Sequence, residues 1–205
     1  MLAVEKRVSS ILLEQSSIDK ILEVDSHIAV AVSGLIADAR TLVGHGRVES
    51  QNHRFTYDEP MKVESLTQSI CDLALSFGEG GEENKSKMSR PFGVSLLVGG
   101  IDDNGPQLYH TDPSGTYVKW HAQAIGSGSE GARTILQERY NKSMSLQDAL
   151  ILVVRVLEET VEDKVTSTNV ELATITKENG FKFLSKDQVQ ELITKVAAEV
   201  AAERH

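Results

Sequence analysis

The sequence contains a single cysteine, Cys71, among its 205 residues. An internal disulfide is therefore impossible, and a reducing compartment such as the cytosol or nucleus suits the chain. No run of 18 apolar residues occurs, so we predict no membrane span. Asp and Glu (30) outnumber Lys and Arg (21), and the net charge of −9 argues against nucleic acid as a general partner.

Recognisable sets of residues for metal binding or nucleophilic catalysis are also lacking. The six histidines are scattered along the chain. His45 and His53 are separated by more than two helical turns, and no group has the spacing of a zinc site. Cys71 lies among apolar residues of a predicted helix without a recognisable base, so we expect a small core residue. We predict no metal, no cofactor and no catalytic residue.

Patterns of apolar residues predict strands, two helices, three strands, two helices, a hairpin and a last helix. The predicted strands cover 2–13, 21–33, 92–101, 107–111, 116–125, 170–176 and 181–184; the predicted helices cover 35–55, 63–77, 129–141, 145–162 and the segment after the capping box at 185–188. Hairpin-length turns favour antiparallel sheets with helices grouped on their outer faces, an α+β fold. No linker or repeat stands out, so we expect a single domain over residues 1–205.

The stretch Ser33-Gly34-Leu35-Ile36-Ala37-Asp38-Ala39-Arg40 follows a short apolar strand and leads into a predicted helix. The first N–H groups of a helix have no intrahelical acceptor, and the positive end of the helix dipole favours a carboxylate or phosphate there. Ser33 is a good N-cap, and Asp38 suits the first turn. Local chemistry alone leaves two interpretations open, a well-capped core helix and an anion site.

This stretch is one of five short motifs that lie between residues 17 and 115. The others are Ser17-Ile18-Asp19-Lys20-Ile21, Val48-Glu49-Ser50-Gln51-Asn52-His53, Arg90-Pro91-Phe92-Gly93-Val94 and Asp112-Pro113-Ser114-Gly115. In this order they resemble the α-type subunits of the proteasome core particle. The resemblance implies the N-terminal-nucleophile hydrolase fold, a four-layer αββα sandwich of two antiparallel sheets flanked by helices. It also implies that the helix continues through Gly44 and Gly46, although each glycine costs about 1 kcal/mol relative to alanine.

The function implied by the resemblance is architectural and regulatory rather than catalytic. A subunit of this kind occupies one place in a heptameric outer ring, which stacks on the catalytic β ring, admits protein substrates and docks activators in ATP- and ubiquitin-dependent degradation. The implied partners are neighbouring α subunits, β-ring subunits and the C-terminal tails of activators, in the cytoplasm and nucleus. Because Met1 to Arg7 matches the family's second strand, we expect the usual N-terminal arm, helix and first strand to be absent.

The resemblance also implies a binding site for the C-terminus of an activator. Lys20 matches the lysine of the family's activator pocket, and Gly34 and Leu35 match the strand-to-helix turn that forms the pocket floor. A terminal carboxylate gains from a flexible ammonium and from N–H donors at a helix start. From the residues alone, a solvated lysine is the favoured interpretation of Lys20, and only the resemblance favours the pocket.

Two enzyme classes remain as alternatives. The related β-type subunits cleave peptides with a processed N-terminal threonine, helped by an aspartate and a lysine; Glu5 and Lys20 fall at those two places, but the nucleophile would lie upstream of Met1. Gly126-Ser127-Gly128-Ser129-Glu130-Gly131 matches the glycine pattern of a nucleotide-binding oxidoreductase. The segment before it alternates, and no acidic residue ends a second strand about twenty residues later. We therefore favour a tight turn at Gly126–Gly131.

Overall fold

The computed structural model describes residues 1–7, 12–14, 17–76 and 90–203. In this part of the chain the strands are β1 Leu2–Glu5, β2 Ile21–Asp25, β3 Ile28–Gly34, β4 Val94–Asp102, β5 Gly105–Thr111, β6 Tyr117–Lys119, β7 Val170–Thr176 and β8 Gly180–Phe183. The helices are α1 Ile36–Tyr57, α2 Val63–Leu75, α3 Ser129–Arg139, α4 Leu146–Thr160 and α5 Lys186–Glu203. None of these helices is long and apolar enough to cross a membrane.

The strands form a five-stranded sheet in the order β2-β3-β4-β5-β6 and a three-stranded sheet in the order β1-β7-β8. The pairs β1 with β7, β3 with β4, β4 with β5, and β5 with β6 are antiparallel. Together with the five helices, these sheets confirm the predicted α+β class.

The internal contacts divide the chain into two compact units, each interleaved along the sequence. One unit comprises Met1–Ile21, His121–Thr174 and Lys182–His205, and the other comprises Leu22–Trp120 and Ile175–Phe181. The expectation of a single domain over residues 1–205 stays a prediction.

In the unit that contains Leu22–Trp120, α1 and α2 pack on the five-stranded sheet. Their shared core includes fully buried side chains from β3, β4 and α2, among them Val30, Leu96 and Ile70. Each such side chain contributes about 1.5–3 kcal/mol by its removal from water. Cys71 lies in the same helix, and burial raises the pKa of its thiol to about 11. The prediction of a small core cysteine is confirmed.

Helix α1 continues through Gly44 and Gly46, as the resemblance implied and propensity alone did not. A Cβ at Gly46 would lie 3.3 Å from the Ile70 side chain and 3.4 Å from those of Leu66 and Val24. Gly46 therefore permits close packing of α1 against α2 and β2. This tertiary packing outweighs the local helix cost of the glycine.

Three boundary predictions need correction. Ser33 is not the N-cap of α1, because it lies in β3 and the N-cap position is Leu35, without a side-chain cap bond. The strand predicted over 116–125 is only β6, Tyr117–Lys119, at the edge of the sheet. The strand predicted over 2–13 ends at Glu5, and its residues 8–11 lie outside the described residues.

The unit that contains Met1–Ile21 builds its main core from the three-stranded sheet, α4 and α5, with Leu172, Val154 and Val196 fully buried. The capping box predicted at the start of α5 is confirmed. The N–H of Ser185 donates to Gln188 Oε1 at 2.9 Å, and the N–H of Gln188 donates to Ser185 Oγ at 3.3 Å.

Candidate functional site

The predicted site residue Lys20 immediately precedes β2, and its ammonium is held within its own unit. Lys20 Nζ donates a hydrogen bond of 2.7 Å to the backbone carbonyl oxygen of Glu5, the last residue of β1. The structure thus brings together the two positions that match the aspartate and lysine of β-type peptidases. The bond uses the main chain of Glu5, so the lysine is hydrogen-bonded to a neutral acceptor.

The backbone that carries this carbonyl is fixed on its other side by β7 and by the loop before it. The N–H of Lys6 donates to the carbonyl oxygen of Asn169 at 2.7 Å. Lys6 Nζ lies 2.6 Å from Glu171 Oε1, and Lys6 is only 9% exposed. The Asn169 side chain holds its own loop, because it accepts from the N–H of Thr166 at 2.8 Å and donates to the carbonyl of Lys164 at 2.9 Å.

A cavity of about 290 Å³ opens beside this end of β1. It is lined by Glu5, Lys6, Arg7, Asp163, Thr166, Thr168 and Asn169, all in the same unit. The lining carries charges of both signs, and its Thr166 and Thr168 hydroxyls bond each other at 2.9 Å. Sequence reasoning missed this cavity, because its two segments meet only through the pairing of β1 with β7. No local pattern marks that pairing.

The predicted site residues Gly34 and Leu35 lie at the turn from β3 into α1, in the other unit. Gly34 has a φ of +117°, and a Cβ there would lie 2.4 Å from the carbonyl oxygen of Gly93. Only glycine fits this position without strain. The N–H of Leu35 donates to the same Gly93 oxygen at 2.9 Å, so one of the predicted anion donors already has an acceptor within the chain.

Asp38 occupies the first turn of α1, as predicted, and its carboxylate is fully engaged. It accepts two hydrogen bonds from the Arg90 guanidinium, at 2.7 and 2.8 Å, and one from the N–H of Gly93, at 2.8 Å. The Arg90 hydrogen bonds, followed by the Gly93 bond, hold the pKa of Asp38 below its usual range. Sequence reasoning did not connect Arg90 with Asp38. Lys20 and the Gly34–Leu35 turn belong to different units, and the site that combines them stays a prediction.

The alternative dinucleotide site lacks the necessary geometry. Strand β6 ends at Lys119, and residues 120–128, all within the described part of the chain, contain no strand before α3. A dinucleotide fingerprint requires a strand of a parallel sheet that leads directly into the glycine loop, whereas β6 pairs antiparallel with β5. The glycines instead form a tight turn, in which the N–H of Ser129 donates to the carbonyl of Gly126.

The residues that the structure describes contain no cluster of candidate metal ligands. There, no group of three or more His, Cys, Asp or Glu residues is placed to hold an ion.

Comparison with known proteins gives a family match that covers most of the chain. The family model described as "Proteasome subunit" matches residues 1–175. The chain is 55% identical to proteasome subunit alpha type-5 of Dictyostelium discoideum over 194 residues, which is 94% of this chain and 80% of that protein. It is 52% identical to proteasome subunit alpha type-5 of Trypanosoma brucei brucei over 200 residues, 97% of this chain and 81% of that protein.

A third relative, proteasome subunit alpha type-5 of Drosophila melanogaster, is 48% identical over 198 residues, 96% of this chain and 81% of that protein. These relatives confirm the resemblance to α-type subunits of the proteasome. The two antiparallel sheets and five helices are consistent with the fold of N-terminal-nucleophile hydrolases. The chain belongs to the proteasome subunit family.

Proposed function

We propose that this chain is a subunit of the outer α ring of the proteasome core particle. The proposal rests on sequence identities of 48% to 55% to three α-type subunits, each over at least 94% of the chain. Its partners are then neighbouring α subunits and β-ring subunits, in the cytoplasm and nucleus. Within that particle it supports ATP- and ubiquitin-dependent protein degradation by forming the ring through which substrates enter.

We further propose that the chain itself hydrolyses no peptide bond. Lys20, which matches the catalytic lysine of β-type subunits, is hydrogen-bonded to the Glu5 main chain. Burial raises the pKa of the Cys71 thiol to about 11, so the nucleophilic thiolate is scarce at neutral pH. Both observations support an architectural function.

The exposed face of α1 supports assembly with other subunits. Phe55 is 93% exposed and Val48 is 57% exposed. Gly44, Val48 and Phe55 are spaced by four and seven residues, so they lie on one face of the helix. A Cβ at Gly44 would meet no atom within 4 Å. Exposed apolar surface of this kind marks protein interfaces, and we assign it to a contact with a neighbouring proteasome subunit.

The activator site predicted from the sequence is proposed here with Lys20 as its cation. The N–H groups around Gly34 and Leu35 are the proposed second set of donors. Because the Leu35 N–H already donates to Gly93, the free donors of this turn are expected among the first N–H groups of α1, which have no intrahelical acceptor. The ammonium is then the main contribution to binding of a C-terminal carboxylate.

The test uses assembled core particles that contain this chain. A fluorescent peptide with the C-terminal sequence of an activator is titrated onto wild-type and Lys20→Ala particles, with a C-terminally amidated peptide as the second ligand. A charged hydrogen bond is worth about 1.5–3 kcal/mol, so Lys20→Ala should weaken binding of the free acid at least about ten-fold. Lys195→Ala, at an exposed position of α5, is the matched control. If wild-type and Lys20→Ala particles bind the free acid equally, and amidation has no effect, the proposed activator site is wrong.

A further inference from the structure

We propose that His27 is a proton switch at the turn between β2 and β3. When Nδ1 of its ring carries a proton, the imidazolium forms an ion pair with Asp25 and ties this turn to the segment before α2. When Nδ1 gives up its proton, the ion pair is lost. The inference concerns the folded chain itself and does not depend on a place in the α ring.

The first argument is the tautomer of the His27 ring. Nε2 lies 2.8 Å from the carbonyl oxygen of Met61. A carbonyl oxygen only accepts hydrogen bonds, so Nε2 carries a proton and donates it. In a neutral ring Nδ1 is then a bare acceptor. Nδ1 is buried, and it has no hydrogen-bond partner among the residues that the structure describes.

The second argument is the group that Nδ1 faces. Nδ1 lies 3.8 Å from Oδ1 of Asp25, and the side chains of His27 and Asp25 are only 12% and 7% exposed. An ionised carboxylate only accepts, so a neutral His27 places two acceptors opposite each other in a buried site, where an unsatisfied polar atom is costly. A proton on Nδ1 converts this contact into a charge-assisted attraction.

The third argument is that Asp25 is held as a carboxylate. It accepts from the N–H of Ser26 at 2.7 Å and from the hydroxyl of Ser50 at 2.5 Å, and Nη2 of Arg54 lies 3.3 Å from its Oδ2. Burial raises the pKa of the Asp25 carboxyl, but these hydrogen bonds and the positive charges of His27 and Arg54 lower it overall. The anion that the imidazolium requires is therefore present over the pH range in which histidine changes its charge.

Other charges near the turn leave this pairing in place. Arg54 opposes a second positive charge beside Asp25, but its side chain is 41% exposed and therefore screened by water. Asp102 accepts from the N–H groups of Val63 and Asn104. Within the described part of the chain, only Asp25 lies at ion-pair distance from the His27 ring. The charged and titratable groups of the neighbouring elements are His53 and Arg54 on α1, Glu59, Lys62 and Glu64 between and after the α1 end, and Asp102 on β4.

The ion pair completes a connection between three elements. Asp25 is hydrogen-bonded to α1 through Ser50 and Arg54, and His27 is hydrogen-bonded to the segment before α2 through Met61. The contribution of the pair to stability is present while Nδ1 holds its proton and is lost as the pH rises. This direction is opposite to that of an aspartate with a lowered pKa, whose contribution is lost as the pH falls.

The experiment is a double-mutant cycle of Asp25→Asn and His27→Gln in the purified chain, with urea unfolding measured at about pH 6 and about pH 8.5. Both replacements keep polar side chains of similar size but remove the charges. We expect the coupling between the two positions to change the unfolding equilibrium constant at least about five-fold at pH 6 and less than about two-fold at pH 8.5. The cycle of Asp103→Asn with His27→Gln is the matched control and should show no coupling at either pH.

Nuclear magnetic resonance of the wild-type chain, labelled with ¹³C and ¹⁵N, gives an independent measurement if a variant does not fold. The ring nitrogens of His27 should show the Nε2–H tautomer at high pH. At lower pH a proton should appear on Nδ1, and the carboxyl resonance of Asp25 should shift with it. Equal coupling at both pH values overturns the proposal, as does a neutral ring protonated at Nδ1 or an Asp25 resonance that does not respond to protonation of His27.

Discussion

Arg90, four residues before β4, and Asp38, in the first turn of α1, are joined by two hydrogen bonds of 2.7 and 2.8 Å. The same carboxylate accepts the N–H of Gly93, whose carbonyl in turn accepts the N–H of Leu35. Gly93, just before β4, is thus hydrogen-bonded to the start of α1 through both its N–H and its carbonyl oxygen. This arrangement fixes the Gly34–Leu35 turn without any capping side chain.

Replacement of Asp38 by asparagine should make the fold less stable at neutral pH and less sensitive to acid. The pKa of Asp38 is lowered in the folded chain, relative to about 3.9 for an unfolded aspartate. Its carboxylate therefore stabilises the fold above that value, and the contribution is lost as the pH falls through the lowered pKa. The urea unfolding free energies of wild type and Asp38→Asn should differ at pH 7, and the difference should shrink as the pH falls below about 3.9.

Asp103→Asn provides the matched control, because Asp103 is an exposed aspartate in the turn between β4 and β5. It should unfold like wild type at both pH values. Arg90→Gln should lower stability at pH 7 in the same direction as Asp38→Asn, because it leaves a buried carboxylate without its main partner. If Arg90→Gln and Asp103→Asn are equally neutral, the ion pair does not stabilise this turn.

Two glycines of the β3–α1 region should respond to alanine in opposite directions. Gly34→Ala places a Cβ 2.4 Å from the Gly93 oxygen at a φ of +117°, and strain of this kind costs about 1–3 kcal/mol or more. Gly44→Ala meets no atom within 4 Å and lies inside α1, so it should stabilise the isolated chain by about 1 kcal/mol. Denaturant midpoints of the two variants measure the contrast, and a stabilising Gly34→Ala would contradict the turn geometry.

How far the sequence predicts this fold depends on whether the decisive contact is local. The spacing of Val63, Leu66 and Ile70 predicts α2, because one helical face is enough to define it. The start of α5 is predicted for the same reason, since Ser185 and Gln188 cap it across three residues. The contacts that define α2 and the start of α5 join residues within one or two helical turns of each other.

The errors lie where distant segments meet. Ser33 is a reasonable N-cap by composition, but the strand continues through it because β3 pairs with β4 as far as Gly34. Arg90 is 52 residues from Asp38, and no local pattern connects them. For the candidate site, the sequence indicated Lys20 through its motif but not its Glu5 acceptor, which depends on where β1 ends. These three features depend on contacts between distant segments, which local sequence patterns do not reveal.

The purified chain should be catalytically silent toward fluorogenic peptides. The reason is chemical: Cys71 is buried with a raised pKa, and Lys20 is bound to a carbonyl instead of serving a nucleophile. Initial rates are measured after repeated chromatography to remove contaminating proteases. If peptide cleavage persists at constant specific activity through these steps, and a single substitution such as Lys20→Ala abolishes it, the prediction is wrong and the chain is an enzyme.

Phe55→Ser should separate assembly from folding. The side chain is 93% exposed, so its loss should change the free energy of unfolding of the isolated chain by no more than about 0.5 kcal/mol. If α1 presents Gly44, Val48 and Phe55 to a neighbouring subunit, the same change removes an aromatic anchor from the interface and should lower incorporation into core particles.

The measurement is native mass spectrometry of particles reconstituted with equal amounts of tagged wild-type and variant chain. Gln68→Ser, at an exposed position of α2, is the control and should be incorporated like wild type. Gly44→Leu tests the same face from the opposite direction, because it adds volume where the isolated helix has space but where a docked partner would collide with it. Incorporation of Phe55→Ser and Gly44→Leu at wild-type levels would show that this face of α1 does not contact a neighbouring subunit.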